Sequence, residues 1–262
     1  MMRAGRYELV ANVSLLFTEV PLLDRFVAAR DAGFGAVECW WPFPSAAPPQ
    51  AEIDALLAGA GGDLAGMNFY AGDMAGGERG VLSHPGRTDE FASSLDVVAQ
   101  VAERTGCAVF NALYGQDGPD FSPATAVTNL RTAADRLLPL GATVVLEPLT
   151  DGENGAYPLR TAADAIRVLD EAGRPNTGLL LDTYHLTNNG DDLLAVIRDH
   201  ADRIRHVQLA DAPGRHEPGT GRIDFRAVLR ALETAGYDGR VAAEYRPAGT
   251  TTAGLGWIAG LA

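Results

Sequence analysis

Four short apolar runs each carry one oxygen-bearing side chain: Glu147 in VVLEPL, Asp182 in GLLLDTYH, Gln208 in RHVQLAD and Glu244 in VAAEYRP. They lie 35, 26 and 36 residues apart, roughly one strand-plus-helix unit each time. A single acid at a strand end is ordinarily a loop cap or an ion-pair partner. Four such groups on consecutive strands ask for a common purpose. Three carboxylates gathered in a partly desolvated place repel one another strongly, and a divalent cation removes that conflict. Carboxylate and amide oxygens suit a hard ion, Mg2+ or Mn2+, whereas Zn2+ is more often signalled by cysteine or several histidines. The expected set of metal ligands is therefore Glu147, Asp182, Gln208 and Glu244.

Other polar residues cluster near these four. His185 follows Asp182 by three residues, past the expected strand end, where a loop histidine beside a metal can touch substrate. Glu153 follows Glu147 by six residues, and its ordinary reading is a solvated loop carboxylate. Arg215 sits with His216 and Glu217 in ADAPGRHEPGTGR, a loop stiffened by Pro213 and Pro218, and can hold a substrate carboxylate through a bidentate pair. The GTG of that loop lacks the flanks of a phosphate-binding loop. His206, two residues before Gln208, shares its strand face, so core packing and ligation are both open. Trp40, Trp41, Phe43, Phe69 and Tyr70 follow or end strands and serve as pocket walls or as core. His84, on a long loop, has no evident task.

These residues need elements to hold them. YELVANVS, AVECWW, LAGMNFY and CAVFNALYG read as four earlier strands, followed by helical stretches with apolar residues at i, i+3, i+4 and i+7. Several helices end in Gly. The strands are continuous apolar runs, as expected where both faces are buried. Eight strand-then-helix units without a linker predict a single (β/α)8 barrel domain over residues 1–262, since parallel neighbours require crossover connections. A doubly wound open sheet ordinarily carries a glycine fingerprint after its first strand, and none follows YELVANVS. In a barrel the carboxyl ends of strands five to eight converge at one side of the mouth, where barrel enzymes place their sites.

The chain has 262 residues, 47% of them hydrophobic, and a formal net charge of −13. That field opposes a nucleic-acid partner, and no basic block offsets it. The two cysteines, Cys39 and Cys107, fall in runs read as strands, which suits free thiols in a reducing compartment. No run is apolar enough to span a membrane and no leader is evident, so a soluble cytoplasmic protein is expected.

Along essentially its whole length the sequence resembles the hydroxypyruvate isomerase family, within the larger xylose-isomerase-like barrel group. NFYAGDMAGGERG, FNALYG, LDTYH and HVQLADAPGRHEPGTG carry the resemblance. It implies a divalent metal and interconversion of hydroxypyruvate with tartronate semialdehyde. Carried over residue by residue, Glu147, Asp182, Gln208 and Glu244 match the metal ligands, and Glu147 and Glu244 the proton-transferring pair. His185, Glu153 and Arg215 match substrate-contacting positions in related ketose epimerases. Those epimerases have histidine where this chain has Gln208, which favours the isomerase branch. The resemblance also implies a small sugar-acid or sugar substrate and a homo-oligomer. Alternatives are an isomerase of a four-carbon 2-oxo acid, a ketose 3-epimerase, a barrel endonuclease and a non-catalytic sugar-acid binding protein.

Overall fold

The computed structural model describes residues 1–261. Eight parallel strands follow in chain order: β1 (Tyr7–Asn12), β2 (Ala36–Cys39), β3 (Leu64–Asn68), β4 (Val109–Asn111), β5 (Thr143–Leu146), β6 (Thr177–Asp182), β7 (Ile204–Leu209) and β8 (Val241–Ala243). Each pairs with the next, and β8 returns to β1 with Leu9 opposite Val241 and Ala11 opposite Ala243. The sheet is thus closed, and the expected (β/α)8 barrel is the fold. One unforeseen addition is a two-residue strand, Arg3–Ala4, which pairs antiparallel with β1.

The helices form where their caps and periodicity allow. The long helix Thr88–Thr105 buries Phe91, Leu95, Val98 and Ala102 on one side. It stops at Gly106, whose φ of +73° is open to glycine and strained for other residues. After β5, the helix Ala162–Ala172 opens on a capping box between Thr161 and Asp164.

Three sequence expectations need correction. His185 is not in a loop. A short helix, Thr183–Asn189, starts directly at the end of β6, because Asp182 caps it: Oδ1 accepts the Tyr184 and His185 N–H groups at 2.7 and 3.2 Å. The strand expected over CAVFNALYG shrinks to β4, so Cys107 lies just before it. Both cysteines are free and buried, and burial pushes the Cys107 thiol up to about 12, far from reactivity. The helix that the sequence predicts over the C-terminal TAGLGWIAGLA divides into Thr251–Gly254 and Trp257–Leu261, and its final residue, Ala262, lies outside the described residues. Among the described residues no helix is long and apolar enough to cross a membrane.

Candidate active site

Every barrel strand ends in a carboxylate or an amide. In strand order these are Asn12, Glu38, Asn68, Asn111, Glu147, Asp182, Gln208 and Glu244, each within one residue of its strand's end. All eight are buried. A buried polar group must be bonded or it destabilises the fold, so the partners of this ring reveal its purpose.

Part of the ring satisfies itself. Glu38 accepts hydrogen bonds from Asn12 Nδ2 at 3.0 Å and Gln208 Nε2 at 2.7 Å, and its Oε2 lies 2.6 Å from His206 Nε2. Burial opposes ionisation of Glu38, but the His206 charge and these three hydrogen bonds outweigh it and hold the carboxyl below the usual range. His206 is therefore a partner of Glu38. A carboxylate only accepts, so Glu38 claims the NH2 of Gln208 and leaves the amide oxygen for something else.

That oxygen has company. Gln208 Oε1, Asp182 Oδ2 and Glu147 Oε1 are all buried and have no hydrogen-bond partner. The other oxygen of each carboxylate is engaged: Glu147 Oε2 accepts from Asn111 Nδ2 at 2.7 Å, and Asp182 Oδ1 caps its helix. Three free, buried oxygens from adjacent strands fit a hard cation. Ligand atoms of Glu147, Asp182 and His185 lie within 4.8 Å of one another, close enough to share an ion.

Glu244 is placed differently. Its Oε1 accepts from Arg215 Nη2 at 2.8 Å and Trp40 Nε1 at 3.2 Å, and its Oε2 from Asn12 Nδ2 at 2.9 Å. The same Arg215 nitrogen is 3.7 Å from Asp182 Oδ2. Arg215 thus supplies positive charge among the acids, rather than presenting a free fork to a substrate. Glu153 meets no other member of the group. It is exposed on its loop and accepts from the Tyr184 hydroxyl at 2.6 Å. Trp40, Glu147, Glu153, His185, Arg215 and Glu244 nevertheless border one cavity of about 570 Å3. Phe69 is core, stacked on Phe91.

Arg215 adopts a φ of +56°, a sparsely populated region for any residue but glycine, and the loop must enforce it. Asp211 does so. Its carboxylate accepts four backbone N–H groups, from Ala212, Gly219, Gly221 and Ile223, at 2.8 to 3.1 Å. Its carbonyl accepts the Arg215 N–H at 2.8 Å. Asp211→Ala, which removes the charged acceptor of these four mostly part-buried N–H groups, is expected to destabilise the protein by about 3 kcal/mol and lower the melting temperature by about 6–12 °C. A calorimetric scan matching the parent would remove Asp211 from this role.

Burial, then the neighbouring charge of Asp182, pushes Glu147 up to about 8, and burial alone dominates the rise of Asp182 to about 6. Burial also raises Glu244 well above the usual carboxylate range despite Arg215. The sign of the coupling follows: at pH 7 the metal-free site holds protons that a cation must displace. Ion binding is expected to release protons at pH 7, to weaken as pH falls, and to release fewer above about pH 8. Titration calorimetry in buffers of different ionisation enthalpy measures this, and binding with no net proton release would contradict it.

A closed parallel barrel with a ring of acids and amides at its carboxyl end defines a class, the barrel enzymes whose sites are built where the strands end. Comparison with known proteins agrees. A family model described as "Xylose isomerase-like TIM barrel" matches residues 26–261. A Streptomyces coelicolor protein, provisionally named a hydroxypyruvate isomerase, is 46% identical over 249 residues, 90% of this chain and 89% of its own. The hydroxypyruvate isomerase of Escherichia coli is 34% identical, covering 95% of this chain and 96% of its own. A 2-oxo-tetronate isomerase of Pectobacterium atrosepticum is 35% identical, covering 94% and 95%. Among solved structures, one titled AP endonuclease, family 2, from Brucella melitensis superposes with a TM-score of 0.88 at 34% identity, covering 97% of this chain and 98% of that one. The chain belongs to the xylose isomerase-like TIM barrel family. It is an enzyme of the isomerase class, hydroxypyruvate isomerase-like.

Reading the sequence missed Glu38, Asn12, Asn68 and Asn111. Glu38 lies in AVECWW with the same signature as Glu147 in VVLEPL: one acid in an apolar strand. That signal was available. The asparagines gave none individually.

Proposed function

We propose that this enzyme interconverts hydroxypyruvate and tartronate semialdehyde with a resident Mg2+ or Mn2+. The observation that carries the reading is the trio of buried, unpartnered oxygens on Glu147, Asp182 and Gln208. Those three residues would hold the ion, and Glu244, the fourth ligand by resemblance, would join them by giving up one of its contacts to Arg215, Trp40 or Asn12. When bound, the ion supplies Lewis acidity to the substrate carbonyl.

The chain's own groups handle the proton. Glu147, the less engaged of the two glutamate carboxylates, takes a proton from the hydroxymethyl carbon of hydroxypyruvate through Oε2, the oxygen not given to the ion, whose one hydrogen bond is from Asn111. Glu244 is anchored by three donors, from Arg215, Trp40 and Asn12, and delivers a proton to the adjacent carbon, while the hydroxyl proton passes from the terminal oxygen to the former carbonyl oxygen, which completes the isomerisation. His185 serves the substrate, not the ion. Its Nδ1 receives the Thr150 backbone N–H at 3.0 Å, which must donate, so the neutral ring carries its proton on Nε2. Burial, reinforced by Arg215, keeps His185 neutral by lowering its pKa well below the ordinary value. Nε2–H then donates to a substrate oxygen near Glu147, 3.7 Å away. Glu153 contacts the substrate from the cavity wall.

A second reading has its own support. A cavity of about 570 Å3 has room beyond a three-carbon acid, so a four-carbon 2-oxo sugar acid is the other substrate proposed. A nuclease is disfavoured by the net charge of −13 and by a strand-end ring that contains no histidine. Two buried free thiols suit the cytoplasm. NMR in D2O with hydroxypyruvate, and separately with 2-oxo-tetronate, tests the function. Solvent deuterium should enter the substrate only with active enzyme, and the faster of the two acids identifies the substrate. Exchange with neither would refute the isomerase reading.

A further inference from the structure

Three arginines border the cavity that opens onto Glu147 and Glu244: Arg79, Arg215 and Arg246. Arg215 is committed to Glu244 and Asp182. Arg246 is exposed at the rim, and its guanidinium makes no hydrogen bond among the described residues. Arg79 is half-buried and braced. Its Nε donates to Asn154 Oδ1 at 2.9 Å, and its Nη1 donates to the carbonyls of Met74 and Glu78 at 3.0 and 2.7 Å.

All three acceptors are neutral, so the charge of Arg79 is uncompensated. The adjacent acid is turned elsewhere: Glu78 pairs with Arg87 at 2.5 Å through one oxygen and accepts the Asp73 N–H at 2.5 Å through the other. Among the described residues Nη2 of Arg79 has no partner. The loop itself is pinned. Gly115 N–H donates to the Arg79 carbonyl at 3.0 Å, and Gly80, at φ +108°, packs so closely that a Cβ there would collide with the Leu113 carbonyl oxygen. An exposed arginine needs no such bracing.

A sugar acid brings a negative charge into a cavity floored by Glu147 and Glu244. Repulsion there is strong in a partly desolvated site, and a fixed cation must offset it. A guanidinium suits a carboxylate because its fork matches both oxygens. We propose that Arg79 binds the substrate carboxylate and makes the enzyme select 2-oxo sugar acids over neutral ketoses. The assignment of the reacting end rests on the isomerase reading above.

The test compares hydroxypyruvate with dihydroxyacetone, which carries a hydroxymethyl group in place of the carboxylate, using the Mg2+-loaded enzyme. Arg79→Gln should lower the acid-to-neutral ratio of kcat/KM by about 10- to 100-fold, mostly through KM for hydroxypyruvate. Arg79→Lys should recover part of it by restoring charge without the fork. A ratio unchanged in Arg79→Gln, or one that falls more in Arg246→Gln, overturns the proposal. If the parent enzyme turns over neither compound, the isomerase reading fails by itself. Calorimetric titration with tartronate then decides the arginine alone: Kd should rise by about the same factor in Arg79→Gln, and an unchanged Kd overturns the proposal.

Discussion

Glu147→Gln is expected to slow exchange of the hydroxypyruvate C–H proton with solvent by about 10²–10⁴-fold, the usual contribution of a positioned acid or base. The substitution keeps shape and the Asn111 contact region but removes the buried carboxylate charge. Glu244→Gln should give a drop of the same order for another reason. It breaks the ion pair with Arg215 and leaves that guanidinium beside Asp182 alone. The two variants separate in partition. With Glu147 as first base, Glu147→Gln should abolish deuterium incorporation at the hydroxymethyl carbon. Glu244→Gln should leave residual wash-in there while product formation stalls. The opposite partition would exchange their roles, and full activity in either variant would remove that residue from the reaction.

Removing the metal should have an effect of similar size. Dialysis against EDTA is expected to lower turnover at least about 10²-fold, since a Lewis acid contributes several kcal/mol to a developing oxyanion. Mg2+ or Mn2+ should restore it. The structural readout is independent of turnover: the three unpartnered oxygens should make the metal-free protein melt lower than the loaded one, by the binding linkage. Turnover insensitive to chelation, with no change in melting, would leave those oxygens unexplained and the proposed chemistry without its electrophile.

What the amino-acid sequence discloses on its own depends on the kind of signal. The eight βα units showed because apolar periodicity is a local property of the chain. Glu147, Asp182, Gln208 and Glu244 stood out because an acid or amide within an apolar strand violates the pattern around it. Glu38 violated it equally, but the Trp40–Trp41 pair beside it drew the reading toward a pocket wall. Asn12, Asn68 and Asn111 were silent because asparagine at a strand end is an ordinary turn former. Only the closed sheet shows that all three occupy the same rim. The helix Thr183–Asn189 was missed because seven residues are too few for a period and its cap, Asp182, had already been assigned to the ion. Arg79 lies in a loop, where neither period nor burial speaks, and its meaning comes from which acceptors it meets.

The double engagement of Asp182 has a consequence for engineering. One oxygen is fastened to two peptide nitrogens, so the direction of the other is dictated by the backbone and not by side-chain torsion. A designer who lengthens this residue to glutamate, hoping to enlarge the metal's cage for another ion, would unfasten the tether and the aim at once. On the proposed reading, metal preference is better retuned from Gln208, whose orientation is set by a neighbouring side chain and can be redrawn by changing that neighbour.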